Sequence, residues 1–350
     1  MTPFRIVVVD DSALFRTLLR NVLSEIPSCE VVASIADGQT AIDKIAELKP
    51  DLVTLDVEMP GVNGIDVLRE LKRRRISTRV LMVSRLTAAG AQVTTDALIE
   101  GAFDFVLKPS GSSPSENKAA LRTSLESRIV ALRESQPDPA RVSAAPLESA
   151  APRNAIEVVV IGCSTGGPDA LSRVIPDLSG TFPVPILIVQ HMPDGFTATL
   201  ARRLNEASEL EVLEAAEGLK VKPGQVAIAR GGHHLQITRR LGEAVVLAFS
   251  DAPPEHGCRP AVDVTLRSAV EHFPGHLLTV ILTGMGRDGL AGCELNKSHG
   301  GHVLAQHADG CTVYGMPKAV IQAGLADHVT PLSLIPKAME RLVRQNRQTR

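Results

Sequence analysis

Residues 158–168 have the sequence Val158-Val159-Val160-Ile161-Gly162-Cys163-Ser164-Thr165-Gly166-Gly167-Pro168, an apolar run that passes directly into a turn of small residues. Such a run is typical of a strand buried on both faces of a parallel sheet. Gly162, Ser164 and Gly166 have the G-x-S-x-G spacing, which allows a sharp strand-to-helix turn and leaves the serine beside unpaired helix amides. The stretch predicts an α/β sheet that presents either a nucleophile or, as readily from the turn alone, a helix cap or a phosphate cradle.

Apolar runs with strand character alternate with helical spacing throughout the chain, apart from a segment rich in Pro, Ala and Ser at about 135–155. Before this segment the predicted strands are 5–9, 29–35, 51–55, 79–83 and 104–107. After it they are 157–161, 185–190, 277–282 and 302–306, with a hairpin region predicted at 226–228, 234–237 and 245–249. Alternating strands and helices imply parallel sheets covered on both faces.

The predicted fold class is therefore α/β with two domains. Residues 1–125 form a flavodoxin-like (βα)5 domain, and 126–153 form a helix end and a linker. Residues 154–347 form a doubly wound, mainly parallel domain with a small antiparallel hairpin region. A chain of 350 residues with 44% hydrophobic residues is long enough to bury two such cores.

Composition and charge exclude several classes of protein. The net charge of −2 gives no bulk attraction to nucleic acid or anionic membranes, and the basic run at 72–75 fits the end of a helix. No apolar run approaches the roughly 18 residues that span a bilayer, and no signal-peptide pattern precedes the first strand. We expect a cytoplasmic monomer that binds no nucleic acid and does not insert into membranes. The five dispersed cysteines predict reduced, mostly buried thiols.

Three acidic residues follow strands of the N-terminal half. Asp10 and Asp11 come directly after the first strand, and Asp56 ends the third. In a doubly wound sheet of the kind known from response-regulator-like folds, the ends of the first and third strands are expected to meet at the switch point, where three carboxylates repel one another unless a cation neutralises them. Mg²⁺, a hard cation that prefers oxygen ligands, is the expected guest. Asp56 would then attack a phosphoryl group, with Ser84 and Lys108 contacting its oxygens.

Each of these residues alone has an ordinary explanation, as a helix cap, a turn acid or a surface lysine. Together, however, the motifs resemble the response-regulator receiver domain over about the first 125 residues. The matching motifs are Val9-Asp10-Asp11-Ser12, Asp56-Val57-Glu58-Met59-Pro60-Gly61, Val83-Ser84 and Lys108-Pro109. The resemblance implies phosphorylation of Asp56 by a histidine kinase and Mg²⁺ bound in the acidic site by Asp11, Asp56 and the backbone carbonyl of Glu58. It also implies that Phe105 is an aromatic switch residue.

Two residues of the C-terminal half are candidates to activate Ser164. A serine nucleophile needs a base, and the base needs an orienting acid. His191 follows a buried strand, and Asp288 lies in a glycine-rich loop after another. The order Ser, His, Asp differs from that of α/β-hydrolases, which run Ser, acid, His. Taken singly, His191 is more often a hydrogen-bonded strand-end histidine and Asp288 a turn or cap acid. The remaining histidines lack a metal-binding spacing and are expected at the surface or on edge strands.

Five motifs in the C-terminal half resemble the CheB family of bacterial chemotaxis protein-glutamate methylesterases. They are Gly162-Cys163-Ser164-Thr165-Gly166-Gly167, Gln190-His191-Met192-Pro193, Arg259-Pro260-Ala261-Val262-Asp263, Leu282-Thr283-Gly284-Met285-Gly286-Arg287-Asp288-Gly289 and Gly315-Met316-Pro317. An N-terminal receiver domain is that family's own architecture. Residue by residue, the resemblance implies that Ser164 is the nucleophile, His191 the general base and acid, and Asp288 the orienting carboxylate. Thr165 and the Met285 amide would belong to the oxyanion or substrate region.

The implied reaction is hydrolysis of glutamyl methyl esters on chemoreceptors, with deamidation of receptor glutamines and no cofactor in the esterase half. The sequence departs from the family at the polar stretch 296–299 and at Ala308. These departures concern the packing of the local helix and the rim of the site, and do not involve the triad. Two other classes of protein fit the sequence less well. A binding module without turnover would not need Ser164, His191 and Asp288 intact. A DNA-binding regulator would need a helix-turn-helix or a basic effector domain, whereas the C-terminal half predicts alternating strands and helices.

Overall fold

The structure of the protein is a computed structural model that describes residues 3–111, 113–134, 152, 154–239 and 245–345. The chain divides into two compact units, Met1–Glu134 and Ser135–Arg350. Most of the predicted linker lies outside the described residues. Its first part, 126–134, belongs to the last helix of the first unit.

The first unit alternates strands and helices along the chain. Its elements are β1 (Phe4–Val9), α1 (Ala13–Ser24), β2 (Cys29–Ile35), α2 (Gly38–Leu48), β3 (Leu52–Asp56), α3 (Gly64–Arg73), β4 (Arg79–Ser84), α4 (Ala88–Ile99), β5 (Asp104–Leu107) and α5 (Pro114–Glu134). The parallel sheet has the order β2-β1-β3-β4-β5. All five predicted strands are confirmed to within a residue at either end.

Short polar residues start the helices of this unit. The side chains of Ser12, Asp37, Asn63 and Thr87 each accept a backbone N–H from the first turn of α1, α2, α3 and α4. Asp10 and Asp11 are therefore not needed as caps. α3 ends at Arg73, so the basic run does close a helix, as expected.

The second unit contains a larger sheet and a separate hairpin. Its elements are β6 (Val158–Cys163), α6 (Gly167–Val174), β7 (Ile186–Gln190), α7 (Phe196–Ala207), β8 (Glu211–Glu214), β9 (Gln225–Ile228), β10 (His234–Thr238), β11 (Val246–Ser250), α8 (Val262–His272), β12 (Leu277–Ile281), α9 (Leu290–Ser298), β13 (His302–Gln306), α10 (Met316–Gln322), β14 (His328–Thr330), a 3₁₀ turn (Leu332–Leu334) and α11 (Ile335–Arg344). Seven described strands form a parallel sheet in the order β14-β13-β12-β6-β7-β9-β8, and β10 pairs antiparallel with β11.

One strand of the predicted hairpin region was assigned wrongly. β9 pairs in parallel with β7 and β8 in the main sheet, so only β10 and β11 form the hairpin. The edge strands β8 and β14 were not predicted. The central strands β6, β7, β12 and β13 lie where their apolar runs placed them.

The strand order of this sheet reverses between β6 and β12. The strands β7, β8 and β9 lie on one side of β6, whereas β12, β13 and β14 lie on its other side. β6 pairs with both β7 and β12, with Cys163 opposite Gln190 and Gly162 opposite Ile281. The carboxyl ends of the three strands therefore meet at one edge, which is where open α/β sheets bind ligands.

Some burial expectations need correction. Cys163 and Cys293 are buried, but the other three cysteines are only partly so. The histidines expected at the surface or on edge strands include two that are at neither place: His302 is buried on β13, between two strands, and His307 is buried directly after it. His234 is also buried, but it lies on a strand of the two-stranded hairpin. The polar residue Asn296 is fully buried, and its amide donates to Thr279 and to two sheet carbonyls, so this departure ties α9 to the sheet. Among the described residues, no helix has the length and apolar character to cross a bilayer.

Candidate functional site

The Ser164 turn is held by the strand ends around it. The Ser164 amide donates to the Thr283 carbonyl at 3.0 Å, and the Ser164 carbonyl accepts from the Gly167 amide at 2.8 Å. The N-cap of α6 is Gly166, which has a φ of 79° and no side-chain cap bond. Ser164 is therefore not the cap of this helix, and its side chain stays partly exposed at the sheet edge.

Two glycines make room for this turn. A Cβ on Gly166 would lie 2.3 Å from the Cβ of Thr312, in addition to the left-handed backbone that favours glycine there. A Cβ on Gly284 would lie 2.9 Å from the Cβ of Ser164. The close approach of the Gly284 backbone places the loop after β12 directly against the serine.

His191 is brought to Ser164 by the pairing of β6 and β7. The backbone amide of His191 donates to the Cys163 carbonyl at 3.2 Å. The side-chain amide of Gln190, which is buried, donates to the Ser164 carbonyl at 3.0 Å. The two residues that follow these strands are thus held side by side. Among the described residues, no hydrogen bond joins Ser164 Oγ to the His191 ring; such bonds often tighten only in the substrate complex.

The Asp288 carboxylate joins the imidazole to the start of α8. Oδ2 lies 2.8 Å from His191 Nε2 and accepts from the Val262 amide at 2.7 Å. Oδ1 accepts from the Asp263 and Gly289 amides, both at 2.9 Å. With both oxygens bound and an exposure of only 2%, this carboxylate cannot rotate away from His191 without breaking helix contacts.

The two side chains shift each other's protonation. Burial alone would lower the pKa of His191, but Asp288 and the adjacent Cys258 thiol outweigh it and raise this pKa to about 9. Burial alone would raise the pKa of Asp288, but His191 and the amides of Asp263 and Val262 hold it below its usual range. Asp288 is therefore ionised at neutral pH, and it stabilises a positive charge on the ring.

The two residues predicted for the oxyanion or substrate region differ in exposure. Thr165 is buried, and its carbonyl accepts from the Thr283 hydroxyl at 3.0 Å. Met285 is exposed, and its amide donates no hydrogen bond to any described residue. The Met285 amide thus has no described acceptor and follows the Gly284 backbone that closely approaches Ser164.

A second carboxylate lies behind Asp288. Asp263, which is 1% exposed, accepts from the Gly292 amide at 2.7 Å and lies 2.9 Å from His256 Nε2. Burial, together with the charge of Asp288, raises the pKa of Asp263. Glu255, His256 and Asp263 bring ligand-type atoms within 4.8 Å of one another.

That group is already satisfied by protein partners. Arg267 binds both oxygens of Glu255, at 2.9 and 2.5 Å, and His256 binds Asp263. Each of the two carboxyl groups therefore has a protein partner, and no ion is needed to explain the arrangement.

In the first unit, the predicted acidic residues converge around Lys108. Its ammonium lies 2.6 Å from Asp10 Oδ2 and 2.7 Å from Asp56 Oδ2, and 4.7 Å from the centre of the Phe15 ring. Lys108 is only 10% exposed, so it is not an ordinary surface lysine. Burial raises the pKa of Asp56 to about 6, although Lys108 opposes the shift.

The other predicted receiver residues surround Asp56 to different degrees. Ser84 is buried at the end of β4, and its carbonyl accepts from the Lys108 amide at 2.7 Å. The Glu58 amide donates to Asp56 Oδ1 at 3.4 Å. Phe105 is buried on β5, opposite Met82 rather than at the acidic edge. A cavity of about 450 Å³ opens beside Asp11, Asp56 and Glu58.

The donor set at this edge fits Mg²⁺. Carboxylate oxygens of Asp10, Asp11 and Asp56 lie within 4.8 Å of one another. Oxygen ligands and open space for retained waters are what this cation requires. Asp11 is exposed toward the cavity, whereas Asp10 is fully buried against Lys108.

Sequence reasoning missed two side chains beside the candidate triad. His256 and Cys258 lie on the loop before α8, and neither has a spacing that indicates chemistry. The available signal was their position immediately before the Arg259–Asp263 motif.

Family models match both parts of the chain. The family model described as CheB methylesterase matches residues 159–339, and the model for the response regulator receiver domain matches residues 6–120. The chain is 42% identical to the protein-glutamate methylesterase/protein-glutamine glutaminase of Desulfotalea psychrophila over 98% of this chain and 100% of that protein. For the protein of the same name in Thermotoga maritima, the identity is 44% over 97% and 98% of the two chains.

A solved structure resembles the second unit. The crystal structure of the Thermotoga maritima CheB methylesterase catalytic domain is 47% identical and superposes with a TM-score of 0.53, covering 54% of this chain and all of that one. Both halves of the chain and its full length are thus matched. The chain belongs to the CheB methylesterase family and carries a response-regulator receiver domain before the methylesterase domain.

Proposed function

We propose that Ser164, His191 and Asp288 carry out the ester hydrolysis of this methylesterase. The substrates would be γ-methyl esters of glutamate on chemoreceptors, and the products methanol and a carboxylate. The observation that carries the proposal is the Asp288 carboxylate, which binds His191 at the strand ends that hold Ser164.

The bonding of the ring suggests which nitrogen acts as the base. An ionised carboxylate only accepts hydrogen bonds, so the neutral His191 ring carries its proton on Nε2, toward Asp288. The lone pair on Nδ1 is then left to take the proton of Ser164 as Oγ attacks the ester carbonyl. The imidazolium returns this proton to the departing methoxide, and the neutral ring next activates water to hydrolyse the acyl-enzyme.

The negative oxygen of the tetrahedral intermediate needs a donor. The free Met285 amide is our candidate, with Thr165 as a second. The same acyl-enzyme would form from a glutamine side chain with loss of ammonia, which accounts for a glutaminase activity. No step of this scheme requires a cofactor.

The receiver domain would control this activity. A histidine kinase would donate a phosphoryl group to Asp56, with Lys108 and Ser84 contacting its oxygens. Asp11, Asp56 and the Glu58 carbonyl would hold Mg²⁺, with Asp10 beside them, and the metal would neutralise charge during transfer. Phe105 would act as the switch residue. The domain boundaries that we propose are 1–125 for the receiver, 126–153 for the helix end and linker, and 154–347 for the catalytic domain.

The test is methanol release from methylated receptors with and without a small phosphodonor and Mg²⁺, combined with fluorophosphonate labelling. We expect release by the full chain, stimulation by the phosphodonor, and a label on Ser164. A folded chain that binds receptors but neither takes the label nor releases methanol would instead be a binding module.

A further inference from the structure

The triad acid has a second carboxylate as its neighbour. Asp263 and Asp288 are both nearly fully buried, and the Asp263 amide donates to Asp288 Oδ1 at 2.9 Å. Two carboxylates this close oppose each other's ionisation unless a cation or several donors compensate. Asp288 has four described donors, whereas Asp263 has the Gly292 amide and one further partner, His256.

The ring of His256 lies close to the carboxyl groups of both Asp263 and Asp288. Its Nε2 lies 2.9 Å from Asp263 Oδ2 and 3.8 Å from Asp288 Oδ1. Its backbone has a φ of 54°, the left-handed region, and Gly257 follows it, so the loop turns sharply at this residue. The side chain of His256 is 35% exposed, whereas that of Asp263 is 1% exposed, so the ring links the buried acid to the protein surface.

We propose that His256 is a positioning residue for the esterase reaction, which holds Asp263 and thereby keeps the start of α8 and the ionised Asp288 in place against His191. The connection from His256 to Asp288 runs through hydrogen bonds of Asp263. Asp263 is fixed between His256 and the Gly292 amide, and its own amide is one of the donors that orient Asp288. This inference rests on the proposed Ser164, His191 and Asp288 triad.

Several charged side chains lie near His256, and a test must distinguish its effect from theirs. On its own loop this is Glu255; from α8 they are Asp263 and, through Glu255, Arg267; and from the loop after β12 it is Asp288. Arg267 is engaged by Glu255, so His256 is the described side chain that pairs with Asp263.

The experiment compares His256→Leu, which removes the ring's hydrogen bond to Asp263, with His256→Gln, which keeps an N–H donor of similar reach. We measure kcat and KM for methanol release from methylated receptors between pH 6 and 9. His256→Leu should lower kcat about tenfold, with KM changed less than about twofold, because the acid and not the receptor contact is disturbed. It should also move the acidic limb of the profile to lower pH, since an Asp288 that is held less firmly raises the pKa of His191 less. His256→Gln should fall between His256→Leu and the wild type.

The second arm is a double-mutant cycle with Asp263→Asn, which replaces the carboxyl group that His256 binds. In that background His256→Leu should cost much less than in the wild type, because the hydrogen bond between the ring and the Asp263 carboxyl group is already lost. His233→Gln is the matched control, since His233 also pairs with an aspartate, Asp251, at 2.7 Å but has no described contact with the triad. It should leave the profile unchanged.

An NMR titration of His191 in the Ser164→Ala chain gives a readout independent of turnover. The inference is overturned if His256→Leu is folded and both kcat and the His191 titration stay at wild-type values, or if Asp263→Asn does not reduce its effect. If His256→Leu does not fold, the same two criteria apply to His256→Gln. A wild-type chain that releases no methanol would overturn the triad instead, so the two failures are distinguishable.

Discussion

At the scale of single residues, His191 combines a raised pKa with a task that needs its neutral form. Asp288 and Cys258 hold its pKa at about 9 despite its burial. Because this value is above the usual 6.5 or so, the interaction stabilises the fold fully below that pH. Its contribution is lost as the pH rises through about 9. The fold and the reaction therefore favour opposite ends of the same pH range.

The first prediction concerns this pH dependence. The value of kcat/KM should rise from pH 6.5 toward pH 9 as the ring loses its proton, measured by methanol release over that range. In Asp288→Asn the lost negative charge lowers the pKa of His191, so the rise should move to lower pH while the maximal rate falls. An unchanged profile in Asp288→Asn would reassign Asp288 as a structural turn acid.

The second prediction tests the nucleophile. Ser164→Ala should lower methanol release by at least about 10⁴-fold, because a triad without its nucleophile retains little rate. Phosphorylation of Asp56 and the circular dichroism spectrum should not change. Ser172→Ala is the control, since Ser172 lies on the next helix and only bonds the Asp169 carbonyl. A release within about tenfold of wild type would refute the assignment of Ser164.

At the scale of secondary-structure elements, the turn before α6 depends on one glycine. Gly166 and Gly195 both cap helices at positive φ, 79° and 82°. A Cβ would meet Thr312 at Gly166 but has nothing within 4 Å at Gly195. The two positions thus separate the cost of the backbone conformation from the cost of a steric clash.

We therefore expect Gly195→Ala to destabilise the second unit by about 1 kcal/mol, the cost of a left-handed alanine. Gly166→Ala should cost more and should also reduce esterase activity, because the turn that carries Ser164 must shift away from Thr312. Urea unfolding and methanol release measure the two effects. Equal unfolding costs in the two variants would mean that Thr312 yields without disturbing the turn.

Elements differ in how far the sequence predicts them. The central strands β6, β7 and β12 are continuous apolar runs, and the site residues that follow them were predicted with them. The edge strand β8 is charged at both ends, and β14 has three residues, so their pairing depends on distant partners and not on local pattern. The role of His256 likewise depends on the folded loop before α8, which brings it to Asp263.

At the scale of the whole molecule, the chain consists of two units with their own cores and their own chemistry. Candidate Mg²⁺ ligands lie in the first unit, and the candidate triad in the second. A ligand that binds to one unit should therefore raise the free energy of unfolding of that unit.

The fourth prediction follows from this division. Calorimetry should resolve two unfolding transitions, and Mg²⁺ at ten times its dissociation constant should stabilise the receiver by about 1.4 kcal/mol. That raises one melting temperature by about 5 °C. Asp11→Asn should abolish the shift because it removes a ligand exposed to the cavity. Equal Mg²⁺ shifts in both transitions, or a persistent shift in Asp11→Asn, would contradict this site.

The capping of α8 has a consequence for how this domain can change by descent. The N-cap residue Ala261 provides no side-chain bond, and the first two amides of the helix are instead bound by Asp288. Replacing the acid therefore exposes a helix end, at a cost of about 1 kcal/mol, whereas replacing Ser164 by alanine breaks no described side-chain bond. In lineages where selection for turnover is relaxed but the folded domain is retained, the serine should be lost before the aspartate. Inactive descendants would then keep an acid that no longer has a reaction to serve.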